Sequence, residues 1–372
     1  MIIHGDSAQE LKKLADNSID AVVTDPPYGI EFLAKEWDSN TGAVEIWSEC
    51  FRVLKPGGYL LAFSAARTYH HLATNIESVG FEIRDQIMWL YASGFPKAQD
   101  LGKSIQRRQG VEKTELYKHN HPRVGGDGNG DAWQQNNVRG ATIPTSPEAK
   151  QWSGWKTALK PAHEPICMAR KPFKGSTIDN VLTHGVGALN IDATRIESEP
   201  FDYCADGLKR TTYSQSEPAK WNDSDKQMIR NDKGRYPSNV LGEVEGYQKF
   251  FYCPKVSRKE RHRGFDIGNQ RIDQSAGEMY GSEQAITRAK IPNVGNNHPT
   301  VKPVALMRYL VQLVTPQGAH VLDPFCGSGS TGMACKELGN KFTGIEQDKN
   351  YVTTAQQRID ATLTDPKHTL FE

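Results

Sequence analysis

The chain has 372 residues, 37% of them apolar and 24% charged, with a formal net charge of +1. That length can bury a large core and has room for two domains. The charge balance excludes nucleic-acid binding through overall basicity, so any such surface has to be local, and no run of about 20 apolar residues is present to span a membrane.

"MIIH" opens the chain as a short apolar run and is followed by Gly5 and Asp6; it lacks the basic and apolar regions of a signal peptide. Ser7 to Leu14 predicts a helix, with Ser7 and Glu10 at capping-box spacing. Asp6 or Ser7 could cap it equally well. "IDAVVTD" predicts a buried strand that runs into Val23-Thr24-Asp25-Pro26-Pro27-Tyr28-Gly29. Two prolines fix two φ angles, remove two donors and hold the preceding residues extended. The result is a stiff exit from a strand, with a carboxylate, free carbonyls and then a flat ring. Such a place could grip something polar and planar. Residues 43–54 predict a helix stopped by "KPGG", 59–65 a strand, 69–80 a helix ending at glycine, and 81–91 a strand. This alternation with short connections predicts βαβ units around a mainly parallel, doubly wound sheet, an α/β fold.

The middle of the chain differs. Residues 91–162 contain "GGDGNGDAWQQNN" (125–137), which cannot build a core and predicts a flexible insert. One strand follows over 163–173. Residues 174–295 run irregularly, with Trp221, Tyr236, Phe250, Phe251 and Tyr252 among polar residues, and predict a second, less regular module. Order returns with an amphipathic helix over 302–314. A strand, glycine loop and helix then occupy 319–339, a strand ending in an acid 341–346, and a helix 350–359. The six cysteines are scattered without a CxxC pair, which predicts reduced thiols in a cytosolic protein and no metal site.

The run "DPFCGSGSTG" carries the clearest chemistry. Asp323 ends a strand, Gly327 and Gly329 sit in the turn, and Glu346 ends the next strand 17 residues after Gly329. Glycines allow close backbone approach, and an acid at the end of the second strand suits a ribose diol. The loop lacks GKS or GKT, so it is no triphosphate P-loop. A carboxylate at Asp323 would repel a pyrophosphate but could hold a ligand's ammonium.

"VTDPPYG" together with "VLDPFCGSGSTGMACKELGNKFTGIEQDKNYVTTAQQRI" resembles the DNA amino-methyltransferases that use S-adenosylmethionine. The order of the pieces, with a large insert between catalytic and cofactor motifs, resembles the permuted beta class found in bacterial and phage modification methylases. That resemblance implies a circularly permuted methyltransferase sheet in which "MIIH" supplies the strand beyond Lys341–Glu346. Residues 1–90 and 296–372 would be its catalytic and cofactor halves, 163–173 a further strand, and 174–295 the target-recognition region.

The resemblance also implies roles. Asp25 and the Pro26 carbonyl would accept the two hydrogens of an exocyclic amine, on the stiff Pro26-Pro27 exit, and Tyr28 would stack on the base. Asp323, Phe325, Gly327 and Gly329 would surround the cofactor's methionine, Glu346 its ribose, and Asp6 its adenine. His298, Thr300 and Lys302 match a segment that lies against the cofactor's amino-acid end, although Val301 replaces the usual glutamine and Lys302 could equally be an ordinary lysine before a helix. DPPY goes mostly with adenine N6 and less with cytosine N4; RNA or protein glutamine targets are the remote alternatives. Double-stranded DNA is the expected partner, with a homodimer and a cognate restriction endonuclease also implied. The basic run Lys255, Arg258, Lys259, Arg261 and Arg263 suits backbone phosphates, or else is a solvated loop. Lys103, Arg107 and Arg108 form a second, smaller patch. His163, in "HEP", is expected to pack below the base pocket.

Overall fold

The computed structural model describes residues 1–30, 40–91, 98–110, 115–118, 138–141, 144–198, 200–204, 228–231, 233–242, 256–265 and 295–364. Its strands are Ile2–His4 (β1), Ile19–Thr24 (β2), Leu54–Phe63 (β3), Glu82–Leu90 (β4), Glu115–Lys118 (β5), Val138–Ala141 (β6), His163–Arg170 (β7), Phe201–Cys204 (β8), Met228–Asn231 (β9), Val240–Gly242 (β10), His320–Asp323 (β11) and Lys341–Glu346 (β12). The α-helices are Ser7–Glu10 (α1), Val44–Val53 (α2), Tyr69–Ser78 (α3), Leu101–Arg108 (α4), Pro147–Gln151 (α5), Thr177–His184 (α6), Arg258–Arg261 (α7), Val304–Val314 (α8), Ser330–Glu337 (α9) and Lys349–Asp360 (α10).

Eight strands form one sheet in the order β1-β12-β11-β2-β3-β7-β4-β10. All are parallel except β7, which runs antiparallel between β3 and β4. A strand buried on both faces reads as an apolar run without alternation, and β2 is buried at all six positions. Its side chains still alternate between two cores. Ala21 and Val23 join α8 and α9 on one face, with Leu61 and Phe63; Val22 joins α2 and α3 on the other, with Leu60 and Ala62. β1 pairs with β12 in parallel, His4 opposite Glu346, so the first strand of the chain does complete the sheet beyond the last.

Local differences from the sequence pattern have physical reasons. Asp6, not Ser7, caps α1 by accepting from the Gln9 amide, and the helix tightens into a 3-10 turn at Leu11–Lys13. The Ser7 hydroxyl instead donates to the Pro324 carbonyl. "KPGG" does not precede the strand but lies in it, as a bulge between the Ile19–Leu54 and Ala21–Tyr59 pairs. Gly57 there has φ +82°, and a Cβ would meet Asn180 Nδ2 at 2.2 Å. α8 is buried over most of its circumference, packed against the sheet and against α9.

The chain divides into two compact units, residues 1–91 with 163–372, and residues 92–162. In the smaller unit α4 packs on α5, with Gln106 buried and accepting from the Thr145 and Ser146 amides. Residues 174–198, read from sequence as irregular, hold α6. Its Asn180 donates to the carbonyls of Pro56 and Val186 and ties the helix to β3. β10 extends the sheet beside β4. Among the described residues no helix is long and apolar enough to cross a membrane.

Candidate active site

Open α/β sheets bind ligands outside the carboxyl ends of their strands, where the strand order reverses. Here chain direction diverges between β11 and β2, and four adjacent strands each deliver an acid to that edge. Asp6 follows β1, Glu346 ends β12, Asp323 ends β11 and Asp25 follows β2.

Asp25 is held from both sides. Its Oδ1 accepts from the Tyr28 hydroxyl at 2.8 Å and its Oδ2 from the Lys302 ammonium at 2.6 Å. The Tyr28 hydroxyl also lies 2.9 Å from Glu164 Oε2, and Lys302 Nζ lies 3.0 Å from that hydroxyl and 3.4 Å from Glu164. Burial, with Asp25 and Glu164 beside it, pushes the Tyr28 phenol well above its ordinary range. Burial works to lower Lys302, but the charges of Asp25 and Glu164 overcome it and hold the ammonium above its ordinary value. Lys302 is thus a buried cation between two carboxylates, a partnership that sequence reasoning does not reveal. Tyr28, which sequence gives only a stacking ring, contributes its hydroxyl too.

Asp323 is buried beneath the glycine loop. Its carboxylate accepts from the Thr24 and Thr331 hydroxyls, both at 2.6 Å, and from the Phe325 amide at 3.1 Å. Burial raises its pKa to about 6 against the pull of those three donors. The group ties β2, β11 and α9 together, so the expectation that it reaches out to an ammonium has to share the carboxylate with these bonds. Phe325 packs on Trp47, their ring centres 5.8 Å apart. Glu346 accepts from the amides of Gly327 and Asp348, at 2.9 and 2.8 Å, and burial raises its pKa. Gly327 and Gly329 have φ of +51° and +80°, in the left-handed region that favours glycine. A Cβ on Gly327 would meet His298 Nε2 at 2.9 Å, and one on Gly329 would meet Ala355 Cβ at 2.9 Å.

His298 lies against this loop and stacks edge-on with Tyr351, centres 4.5 Å apart. Its Nδ1 faces the Thr300 carbonyl, so a neutral ring carries its proton there. Burial lowers its pKa to about 4. A ring NMR titration should therefore show His298 neutral at pH 7 and charging only near pH 4. A midpoint at the ordinary 6.5 would mean that water reaches the ring.

The basic run divides. Arg261 donates to the His298 carbonyl at 2.7 Å, and Arg263 pairs with Glu337 at 3.0 Å. Both therefore hold the protein's own 296–304 segment and α9 in place. Lys259 is exposed; Lys255 and the Arg258 side chain lie outside the described residues. Lys103, Arg107 and Arg108 stand exposed on α4 in the smaller unit. Next to Arg261 in the chain, Glu260 accepts from the Val304 amide at 2.8 Å, at the start of α8. This clamp fixes the residues leading into α8 and so delivers Lys302 to Asp25.

Two contributors are missed by sequence reasoning. Glu164 sits beside His163 in "HEP", and because β7 is antiparallel its first residues reach the edge where its neighbours end. An acid at the start of a strand whose centre is apolar is the available signal. Arg358 is fully buried and donates to the Ser328 hydroxyl at 2.8 Å and to its carbonyl; only its place on an amphipathic helix is visible in the sequence. Among the described residues no cluster of three His, Cys, Asp or Glu could hold a metal ion.

Residues 19–357 match the family model described as DNA methylase, of the N6/N4 methyltransferases. The chain is 25% identical to the Type II methyltransferase M.HindIII of Haemophilus influenzae, over 96% of this chain and 94% of that one. It is 23% identical to the Type II methyltransferase M.HpaI of Haemophilus parainfluenzae, over 97% and 74%. Among solved structures, the M1.HpyAVI–SAM complex aligns over 97% of this chain and 98% of that one, at 18% identity and a TM-score of 0.43. The PvuII DNA methyltransferase, cytosine-N4-specific, aligns over 99% and 89%, at 14% identity and 0.45. With the family match running through β2, the Asp25 cluster, the glycine loop and α10, the chain belongs to the DNA methylase family, which transfers a methyl group from S-adenosylmethionine to an exocyclic amine of adenine or cytosine in DNA.

Proposed function

We propose that the chain methylates the N6 amine of adenine in double-stranded DNA, with the target base turned out of the duplex into the pocket beside Asp25. The observation that carries the reading is the Asp25 carboxylate, fixed at the exit of β2 by Lys302 and Tyr28 on the carboxyl edge that also bears the glycine loop. An exocyclic amine is a poor nucleophile because its lone pair is delocalised into the ring. Asp25 accepts one hydrogen and the Pro26 carbonyl the other, which draws the nitrogen toward a tetrahedral shape and frees the lone pair. Tyr28 stacks on the base. Positioning and electrostatics carry the rate.

The residues fit S-adenosylmethionine. Gly327 and Gly329 hold the loop in a left-handed backbone, tight against His298 and Ala355, and Glu346 and Asp6 stand at successive strand ends for a ribose diol and an adenine amine. Asp323, Phe325, His298 and Thr300 shape the methionine end. When bound, the cofactor supplies a methyl group on a cationic sulfur. Cys326, within the loop, is a buried thiol whose pKa burial raises well above its ordinary value, which suits packing and not attack on a base carbon.

Lys259, with Lys255 and Arg258, is assigned to backbone phosphates, and a homodimer and a cognate restriction endonuclease complete the proposal. Incubating methyl-free genomic DNA with the enzyme and S-adenosylmethionine, then digesting it to nucleosides for mass spectrometry, tests the target. N6-methyladenine is the expected product. N4-methylcytosine alone would move the target to cytosine, for which the same two acceptors serve.

A further inference from the structure

The Asp25 cluster contains more donors on Asp25 than an incoming amine can share. One ammonium and one hydroxyl already occupy its two oxygens. A cation in contact weakens a carboxylate's pull on any further hydrogen. Yet the Tyr28 hydroxyl has a single hydrogen, and it lies as close to Glu164 Oε2, 2.9 Å, as to Asp25 Oδ1, 2.8 Å. Lys302 has three hydrogens and stands 3.4 Å from Glu164. A movement of under about 1 Å brings that pair to the length of a charge-assisted hydrogen bond. The Tyr91 hydroxyl also lies on Glu164; burial and that carboxylate push its pKa to about 12. Glu164 therefore has donors at hand and a second stable arrangement to offer them.

We propose that Glu164 is a positioning residue that takes the Lys302 ammonium and the Tyr28 hydroxyl over from Asp25 when a target amine arrives. Without DNA, Lys302 and Tyr28 cover Asp25 and leave no bare carboxylate at the pocket floor. With the base in place, the same two donors turn to Glu164 and Asp25 is released to accept the amine. The cluster keeps one net negative charge throughout: Asp25 and Glu164 against Lys302. The inference rests on Asp25 being the amine acceptor and holds for adenine and cytosine alike.

The charge count supplies the test. Glu164→Gln keeps an acceptor for Tyr28 and leaves the Asp25–Lys302 pair whole, so a merely structural cluster would tolerate it. It removes the alternative partner of Lys302, however, and should lower kcat on methyl-free genomic DNA by at least about tenfold with the KM for S-adenosylmethionine unchanged. Adding Lys302→Met restores the single negative charge and removes the cation that covers Asp25. The double variant should recover most of the lost kcat, and it reads the proposal even where Glu164→Gln alone folds poorly. Full rate in Glu164→Gln, or a double variant as slow as the product of the two single losses, would overturn the exchange. An Asp25→Ala enzyme that kept its rate would instead sink the acceptor assignment on which the exchange depends.

Discussion

Asp25→Ala should lose methyl transfer by about 10²–10³-fold, the scale of deleting one preorganised group at a reacting centre, and should bind S-adenosylmethionine as the parent does. The two readouts separate because Asp25 follows β2 while the glycine loop follows β11, and among the described residues the side chains bonded to Asp25 are Tyr28 and Lys302. In the variant Lys302 keeps Glu164 as a partner, so the buried ammonium is not abandoned in an apolar pocket. Asp25→Asn is the sharper probe: it keeps the shape, removes the charge and presents an amide that can donate as well as accept. Single-turnover transfer of labelled methyl groups, with calorimetry for the cofactor, checks both. A variant that keeps its rate would remove Asp25 from the chemistry. One that loses cofactor affinity and rate together would make Asp25 part of the cofactor site.

How far this site can be read from sequence depends on chain distance and strand direction. "VTDPPYG" and "DPFCGSGSTG" are each contiguous, and a buried strand before each is legible from its apolar run. Adjacent strands then bring Asp25 and Asp323 to one edge. Lys302 is legible as a residue but not as a partner, because 277 positions separate it from Asp25 and a clamp that includes Arg261 and Glu260 sets its direction. Glu164 is hidden for a different reason. Its strand is evident, but nothing in an apolar run states that the strand is antiparallel, and a parallel β7 would place the acid at the opposite edge. Within the basic run, Lys/Arg density records charge and not what the charge meets. Arg261 and Arg263 meet a carbonyl and Glu337 of their own unit. α6 escapes because its polar surroundings mask an eight-residue helix whose main anchor is one asparagine, Asn180.

Glu346→Ala should weaken S-adenosylmethionine binding by about 100-fold, or near 2.7 kcal/mol, while leaving kcat at saturating cofactor close to that of the parent. Two losses add. The carboxylate assigned to the ribose diol is gone, and so is the acceptor for the Gly327 and Asp348 amides, which fixes the loop against β12. Gly327 sits at φ +51° with the His298 ring against it, so a loop released from Glu346 has neighbours that resist its return to shape. Glu346→Gln separates the two losses. It keeps an oxygen that can brace one amide but can no longer accept from both hydroxyls of a diol, and it should fall between parent and alanine. The pKa of Glu346 is raised by burial, so the parent's cofactor affinity should decline as pH falls toward that raised value, and the glutamine variant should lack this decline. Calorimetry from pH 5 to 8 reads all three. If Glu346→Ala instead lowered kcat at saturating cofactor with affinity intact, the acid at the end of β12 would belong to methyl transfer and not to holding the donor.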